Sequence, residues 1–246
     1  MEKTNNVLIT VRVNSSRLPG KCLLPFGDQC VLEHVIERCK LYKLKAIVCT
    51  TIDSSDDRIV DIAKKHKVDY FRGSVVNKLM RWRDCCRKFN LNYFHSVDAD
   101  DPFFDGVEVK SSMKMLEEEG LDMVYPTKSS SAGGASVGYT LTADIVKRAC
   151  DDLSEDADTE MMWYYMEKIS NLKSRVLPEI CKNAPKMRLT LDYEEDYWLL
   201  ETLRKILGNL AERDEINQLF LANPDLHKIN WFRNEEWKAG QLSKKL

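Results

Sequence analysis

A chain of 246 residues with 43% hydrophobic content can bury one substantial core, so a single domain over residues 1–246 is the simplest reading. A formal net charge of -2 with mixed signs gives no field that attracts a nucleic-acid polymer. No apolar run approaches the roughly 20 residues that span a bilayer, no apolar signal segment precedes residue 7, and the eight cysteines form no C-x-x-C pair. Reduced thiols in a cytoplasmic protein are therefore expected.

Val7, Leu8, Ile9, Val11 and Val13 make an apolar, mostly β-branched run that opens into a polar turn carrying Arg12, Arg17 and Lys21. Pro19 and Gly20 stand just before the last cation. Cations so closely spaced in a nearly neutral chain are a local device, suited to a polyphosphate. The turn is not a Walker A loop, because Ser15 stands where its first glycine belongs and Cys22 follows Lys21 in place of Ser or Thr. Lys21 is expected as an exposed loop cation that carries little stability.

Val31, Leu32, Val35, Ile36 and Cys39 fall at helical spacing, with Asp28 ahead of them as a first-turn acid or cap. Residues 45–51 read as a second strand, and Ile59, Val60, Ile62 and Ala63 mark a helix whose start carries Ser54, Ser55, Asp56 and Asp57. Successive βα units argue for a parallel sheet. A short strand at 68–71 runs into Arg72, Gly73 and Ser74, after which Leu79, Trp82, Cys86 and Phe89 recur at helical intervals, as core residues do.

Residues 92–97 read as a central strand leading into Asp98, Ala99, Asp100, Asp101 and Pro102. Side chains alternate along a strand, so Asp98 and Asp100 share a face and Asp101 points elsewhere. Paired carboxylates at a strand end repel unless a hard cation neutralises them; an acidic turn bonding its own backbone is the alternative. A helix ending before Gly120, a strand at 122–125 and a Ser/Gly-rich loop at 128–136 follow, the last able to act as a lid or as a plain connection. Residues 137–141 return as a strand, Thr142 caps the next helix, and 151–158 is an acidic linker. The helical stretch 159–169 crowds Trp163, Tyr164, Tyr165 and Met166, which suit core packing first and a subunit interface or sugar pocket second.

Residues 187–191 read as a last strand. Asp192 after it is either an N-cap completed by Glu195 or a metal ligand, while the acids at 194–196 belong to the first turn of a helix ending at Gly208. The chain closes on a helix beyond Arg213 and an irregular end with Trp231 and Trp237. The four histidines make no H-x-x-x-H or H-E-x-x-H and no G-x-S-x-G occurs, so zinc and serine hydrolysis are poor fits.

The string R-x-N-S-S-R-L-P-G-K, followed by L-L-P-F-G and V-L-E-H-V-I-E-R, resembles the signature loop of sugar cytidylyltransferases. The branch it looks most like is that of spore-coat polysaccharide synthesis, related to enzymes making CMP-activated ulosonic and nonulosonic acids. Asn14 stands where that family has glycine. The segment F-R-G-S with N-K-L-M-R-W is similar to the family's approach to the nucleotide base, which places Arg72, Ser74, Asn77 and Arg81 there, with Asn77 where an acid is usual. Asp100 matches the metal-binding aspartate of a glycine-aspartate-x-proline string, Asp98 replaces a small polar residue, and R-L-T-L-D-Y-E-E-D resembles the closing motif that puts Asp192 on the same magnesium ion.

The resemblance implies a three-layer α/β/α nucleotidyltransferase fold, Rossmann-like and glycosyltransferase-A-like, with a mostly parallel sheet and a smaller sugar-binding and dimerisation lobe at about 125–186. It implies that the chain joins CTP to a small acidic sugar with Mg2+ on Asp100 and Asp192, releasing pyrophosphate. Arg12 and Lys21 would be catalytic, and Arg12, Asn14, Ser15, Arg17, Lys21, Arg72, Ser74, Asn77, Arg81 and Asp98 would bind nucleotide. A homodimer is expected from the aromatic excess at 163–165. Two rivals stay open: a metal-dependent glycosyltransferase using Asp98-Ala99-Asp100 as a D-x-D string, and a non-catalytic nucleotide-binding module.

Overall fold

The computed structural model describes residues 5–131, 138–179 and 184–242. In chain order the elements are β1 (Asn6–Thr10), β2 (Pro25–Phe26), β3 (Gln29–Cys30), α1 (Val31–Leu41), β4 (Lys45–Thr51), α2 (Asp57–Lys65), β5 (Asp69–Gly73), α3 (Lys78–Phe89), β6 (Tyr93–Asp98) and α4 (Gly106–Glu119). They continue with β7 (Met123–Tyr125), α5 (Lys128–Ser131), β8 (Thr140–Thr142), α6 (Ala143–Ala149), α7 (Met162–Met166), β9 (Ser174–Val176), α8 (Glu194–Leu207), α9 (Arg213–Ala222) and α10 (Arg233–Leu242). Among the described residues the main sheet has seven strands in the order β5-β4-β1-β6-β8-β7-β9. β1 pairs parallel with β4 and β6, β4 parallel with β5 and β7 parallel with β9, while β8 runs antiparallel to both its neighbours. This is the mostly parallel sheet with helices on both sides.

Alternation along β1 builds the layers. Val7 and Ile9 face a core shared with α1, α2 and α4, and Leu8 faces the opposite core shared with α3, α6 and α7. A third cluster joins Phe26 and Phe103 to α8 and α9.

Several expectations need correction. Residues 187–191 pair into no strand; Leu191 N–H donates to the Asp100 carbonyl at 2.7 Å, and Met187, Leu189 and Leu191 alternate inward onto α8. The alternating pattern was real, but it packs against a helix. The aromatic helix is only α7, shorter than 159–169, and the stretch expected to be irregular includes α10, which carries Trp237. α1 is closed by Glu33, whose carboxylate accepts from Cys30 N–H at 2.9 Å, and not by Asp28. The hairpin of β2 and β3 and the strand β9 left no periodic signal, being two or three residues long. The cysteines among the described residues are unpaired. Cys181 and most of the Ser/Gly-rich loop, residues 132–136, lie outside the described residues.

Candidate active site

The chain runs from β1 outward to β4 and β5 and then crosses to β6 on the other side of β1, which makes the β1/β6 boundary a topological switch point. Open α/β sheets bind ligands at the C-terminal ends of such strands. Here those ends are Thr10 and Asp98, opposed in register. The basic turn therefore leaves β1 beside the acids leaving β6.

The turn is fixed by its backbone. Val13 N–H donates to Asp56 Oδ1 at 2.8 Å, and the other Asp56 oxygen accepts from Thr51 Oγ1 at 2.5 Å and from Thr51 N–H at 3.2 Å. Asp56, read in the sequence only as a helix-start acid, thus pins the turn to the end of β4. Gly20 adopts φ +67°, which aims the chain so that Lys21 points inward.

The Lys21 ammonium donates to Asp100 Oδ2 and, at 2.8 Å, to Asp192 Oδ1, which also accepts from Arg17 at 2.6 Å. The Lys21 side chain is 13% exposed and that of Asp192 3%, so Lys21 is not the exposed cation expected. Burial works against the Lys21 charge, but Asp100 and Asp192 outweigh it and raise its pKa. Burial opposes the Asp192 charge as well, yet Lys21 and Arg17 hold its pKa below the usual carboxylate range. Asp100 goes the other way, since burial and the charges of Asp192 and Asp98 exceed the pull of Lys21.

Asp192 is not the cap of α8. That helix begins after Tyr193, whose N–H donates to Asp196 Oδ2 at 3.0 Å, and Asp196 also accepts from Asp192 N–H at 2.9 Å. The Asp192 side chain is thereby left to face the basic turn. Behind it, Arg188 is fully buried and donates to Asp196 Oδ1 at 2.9 Å, to Asn234 Oδ1 at 3.0 Å and to Asp192 Oδ2 at 3.3 Å. Arg188 and Asp196 were missed in the sequence: the capping box of Tyr193 with Asp196 was a local signal for the acid, whereas the bonds to Asn230 and Asn234 are set by tertiary structure.

Two cavities meet at this cluster. One, of about 120 Å³, is bounded by Arg12, Asn14, Ser15, Lys21, Arg81 and Asp98. The other, of about 500 Å³, is bounded by Asp100, Asp192, Tyr139, Trp163 and Trp237. Arg17, Lys78, Asp98, Asp100 and Glu160 border both. Arg12 reaches Glu160 at 3.3 Å, and buried Lys78 donates to Asp98 at 3.1 Å while standing 4.9 Å from the Trp82 ring. Lys78 lies within the N-K-L-M-R-W string but was not singled out, and Glu160 carried no motif; both were missed. Ser96 lines the larger cavity and is crowded by Gly138, where any Cβ would lie 1.8 Å from the Ser96 carbonyl oxygen.

Three residues expected at the base border neither cavity. Arg72 donates to the carbonyls of Thr51 at 2.8 Å and Asp53 at 2.7 Å and to Asp57 at 2.6 Å, tying β5 to the start of α2. Asn77 is fully buried as the N-cap of α3, accepting from Met80 N–H at 2.9 Å and donating to the Ser154 carbonyl at 3.1 Å. Ser74 Oγ accepts from Asn77 N–H at 3.0 Å.

The acids suit a hard divalent cation. Asp98, Asp100 and Asp101 offer carboxylate oxygens within 4.8 Å of one another. Asp101 is 2% exposed, its Oδ1 has no hydrogen-bond partner among the described residues, and burial with the charges of Asp100 and Asp98 pushes its pKa well up.

A family profile described as cytidylyltransferase matches residues 6–226. The chain belongs to the cytidylyltransferase family. Among its relatives, an uncharacterized protein of Methanocaldococcus jannaschii is 31% identical over 230 residues, 91% of this chain and 93% of that one. The spore coat polysaccharide biosynthesis protein SpsF of Bacillus subtilis is 26% identical over 89% of this cytidylyltransferase family member and 94% of its own length. An 8-amino-3,8-dideoxy-manno-octulosonate cytidylyltransferase of Shewanella woodyi is 28% identical over 45% of this chain and 46% of its own. A solved cytidylyltransferase of Leptospira borgpetersenii superposes with a TM-score of 0.81 at 25% identity, covering 92% of this chain and 97% of the other. Membership in this family weighs against the glycosyltransferase reading of the D-x-D string.

Proposed function

We propose that this member transfers the cytidylyl group of CTP to an oxygen of a small acidic sugar, giving a CMP-sugar and pyrophosphate, for surface polysaccharide or glycoconjugate synthesis. The observation that carries the reading is the junction of Lys21 and Arg17 with Asp100 and Asp192, where the two cavities meet. The smaller, cation-rich cavity suits the nucleotide, and the larger one, with aromatic faces and the hydroxyls of Ser96, Ser130 and Ser131, suits a sugar. Pro126, Ser130, Tyr139, Met161, Met162 and Trp163 of that wall fall within 125–186, which supports a smaller acceptor lobe there. Half-buried Tyr164 and Tyr165 beside it are the contact through which the homodimer forms.

The acceptor oxygen attacks the α-phosphorus in line, the bond from that phosphorus to the bridging oxygen of the β-phosphate breaks, and pyrophosphate leaves as the acceptor proton is lost to water. Lys21, Arg17 and Arg12 trade carboxylate partners for phosphate oxygens and stabilise the charge that grows on the leaving group. Positioning and electrostatics suffice, with no covalent enzyme intermediate. Asp100 and Asp192, with Asp98 and Asp101 beside them, would hold Mg2+, which when bound polarises the phosphate and screens the carboxylates. A pyrophosphate-release screen of the four nucleoside triphosphates against acidic and neutral sugars tests this reading. Release that requires CTP and a sugar acid supports it, and release with neither refutes it.

A further inference from the structure

The family match stops at residue 226, yet the chain beyond it returns to the site. Asn230 is fully buried and donates to the Arg188 carbonyl at 2.8 Å and to Asp196 Oδ1 at 2.9 Å. Asn234, 1% exposed, accepts from the Arg188 guanidinium, and Arg233 donates to Glu195 at 2.8 Å. These bonds dock α10 on the same Arg188 that holds Asp192. Docked in this way, α10 places Trp237 and Lys238 in the wall of the larger cavity.

Among the described residues, the other cations lining that cavity are paired with carboxylates. Lys78 is bound to Asp98, and Arg17 to Asp192. Lys238 is half exposed, and its contact with Glu235, itself 85% exposed, is long at 3.9 Å. A surface pair of that length holds little energy, so its ammonium can turn to a ligand anion. Trp237 and Trp163 both line the same wall.

We infer that the segment after residue 226 is the acceptor-recognition element: Lys238 pairs with the carboxylate of the sugar acid and Trp237 packs on the apolar face of its ring. This rests on the transfer reading above and assigns the acid-specific contact to residues outside the matched region. It also ties acceptor recognition to the reacting acids, because Arg188 is bonded to both Asn234 and Asp192.

The test is ligand-observed NMR of 2-keto-3-deoxy-manno-octonate on the full chain saturated with CTP, with calorimetric CTP affinity for every variant. Lys238→Ala is expected to weaken sugar-acid binding by roughly tenfold to a hundredfold, the size of one charge-assisted contact, and Lys238→Arg to restore it. Trp237→Ala is expected to weaken the same binding with CTP affinity unchanged. Wild-type sugar-acid affinity in Lys238→Ala overturns the subsite and spares the transfer reading. CTP binding without sugar-acid binding by the wild type overturns the acid-acceptor reading and the subsite together. Loss of CTP affinity in Trp237→Ala overturns an acceptor-side role for the tail.

Discussion

Lys21 donates to Asp192 across 2.8 Å, joining the turn after the first strand to a carboxylate late in the chain, and the same ammonium holds Asp100. One lysine thus bridges two acids that would otherwise repel. Removing it leaves both carboxylates in a mostly buried cluster, and breaking a buried pair typically costs about 3–5 kcal/mol. Lys21→Ala is therefore expected to lower stability by about 3 kcal/mol, the low end of that range because Arg17 and Arg188 still hold Asp192, and to weaken CTP binding by about 1.5–3 kcal/mol. Magnesium should raise the melting temperature of this variant more than that of wild type, because a cation can take the place the ammonium leaves. Thermal melts with and without magnesium check it; an equal shift in both proteins refutes it.

Asn77 separates a cap from a nucleotide contact. Its oxygen closes α3, and its amide reaches Ser154. Asn77→Ala should cost about 1–2 kcal/mol of stability and leave CTP affinity of the folded protein unchanged. Chemical denaturation and calorimetry together decide it, and a fall in affinity with full stability would return Asn77 to the base.

Acid sensitivity has an identifiable source. His34 is 2% exposed, its Nε2 donates to the Pro102 carbonyl at 3.0 Å, and its ring lies edge-on to Phe26 and Phe103. Burial first, and then the nearby Arg38 charge, lower its pKa to about 4. The unfolded chain binds this proton near pH 6.5 and the folded chain does not, so stability is full above that pH and falls as pH drops toward 4. The loss is about 3 kcal/mol from this group by pH 4. His34→Gln keeps a neutral donor and should flatten the slope between pH 6.5 and 4 in urea titrations; an unchanged slope would assign the acid limb to other groups.

The sequence reading was sharpest where pattern and local chemistry coincide. β4 matches its apolar run residue for residue, and β1 with its basic turn lies where alternation and Pro19-Gly20 put it. Local signals were ambiguous elsewhere. Asp192 and Glu195 read as a cap pair, whereas the cap is Tyr193 with Asp196, one residue further on. The bonds of Arg72 to Thr51, Asp53 and Asp57 cross between elements, so no local pattern shows them. Arg188 joins Asn230 and Asn234 across 42 and 46 residues of chain, so no periodicity could announce the network.

The role of Asp192 can be settled against that of Asp100. Because Tyr193 and Asp196 close α8, Asp192→Asn leaves the helix start intact and any effect reports on the side chain that faces Lys21 and Arg17. An amide supplies an oxygen but not the charge that holds a hard cation. Asp100→Asn and Asp192→Asn are each expected to abolish pyrophosphate release and to shift the magnesium dependence upward, with folding verified by circular dichroism. Neutralising Asp192 also frees Arg17, so CTP affinity without metal should hold or rise, which separates a metal-holding acid from a simple phosphate contact. Pyrophosphate release across a magnesium titration, paired with metal-free CTP calorimetry, gives both readings. Near-normal turnover in Asp192→Asn would confine the metal to Asp98, Asp100 and Asp101 and leave Asp192 the task of orienting Lys21 and Arg17.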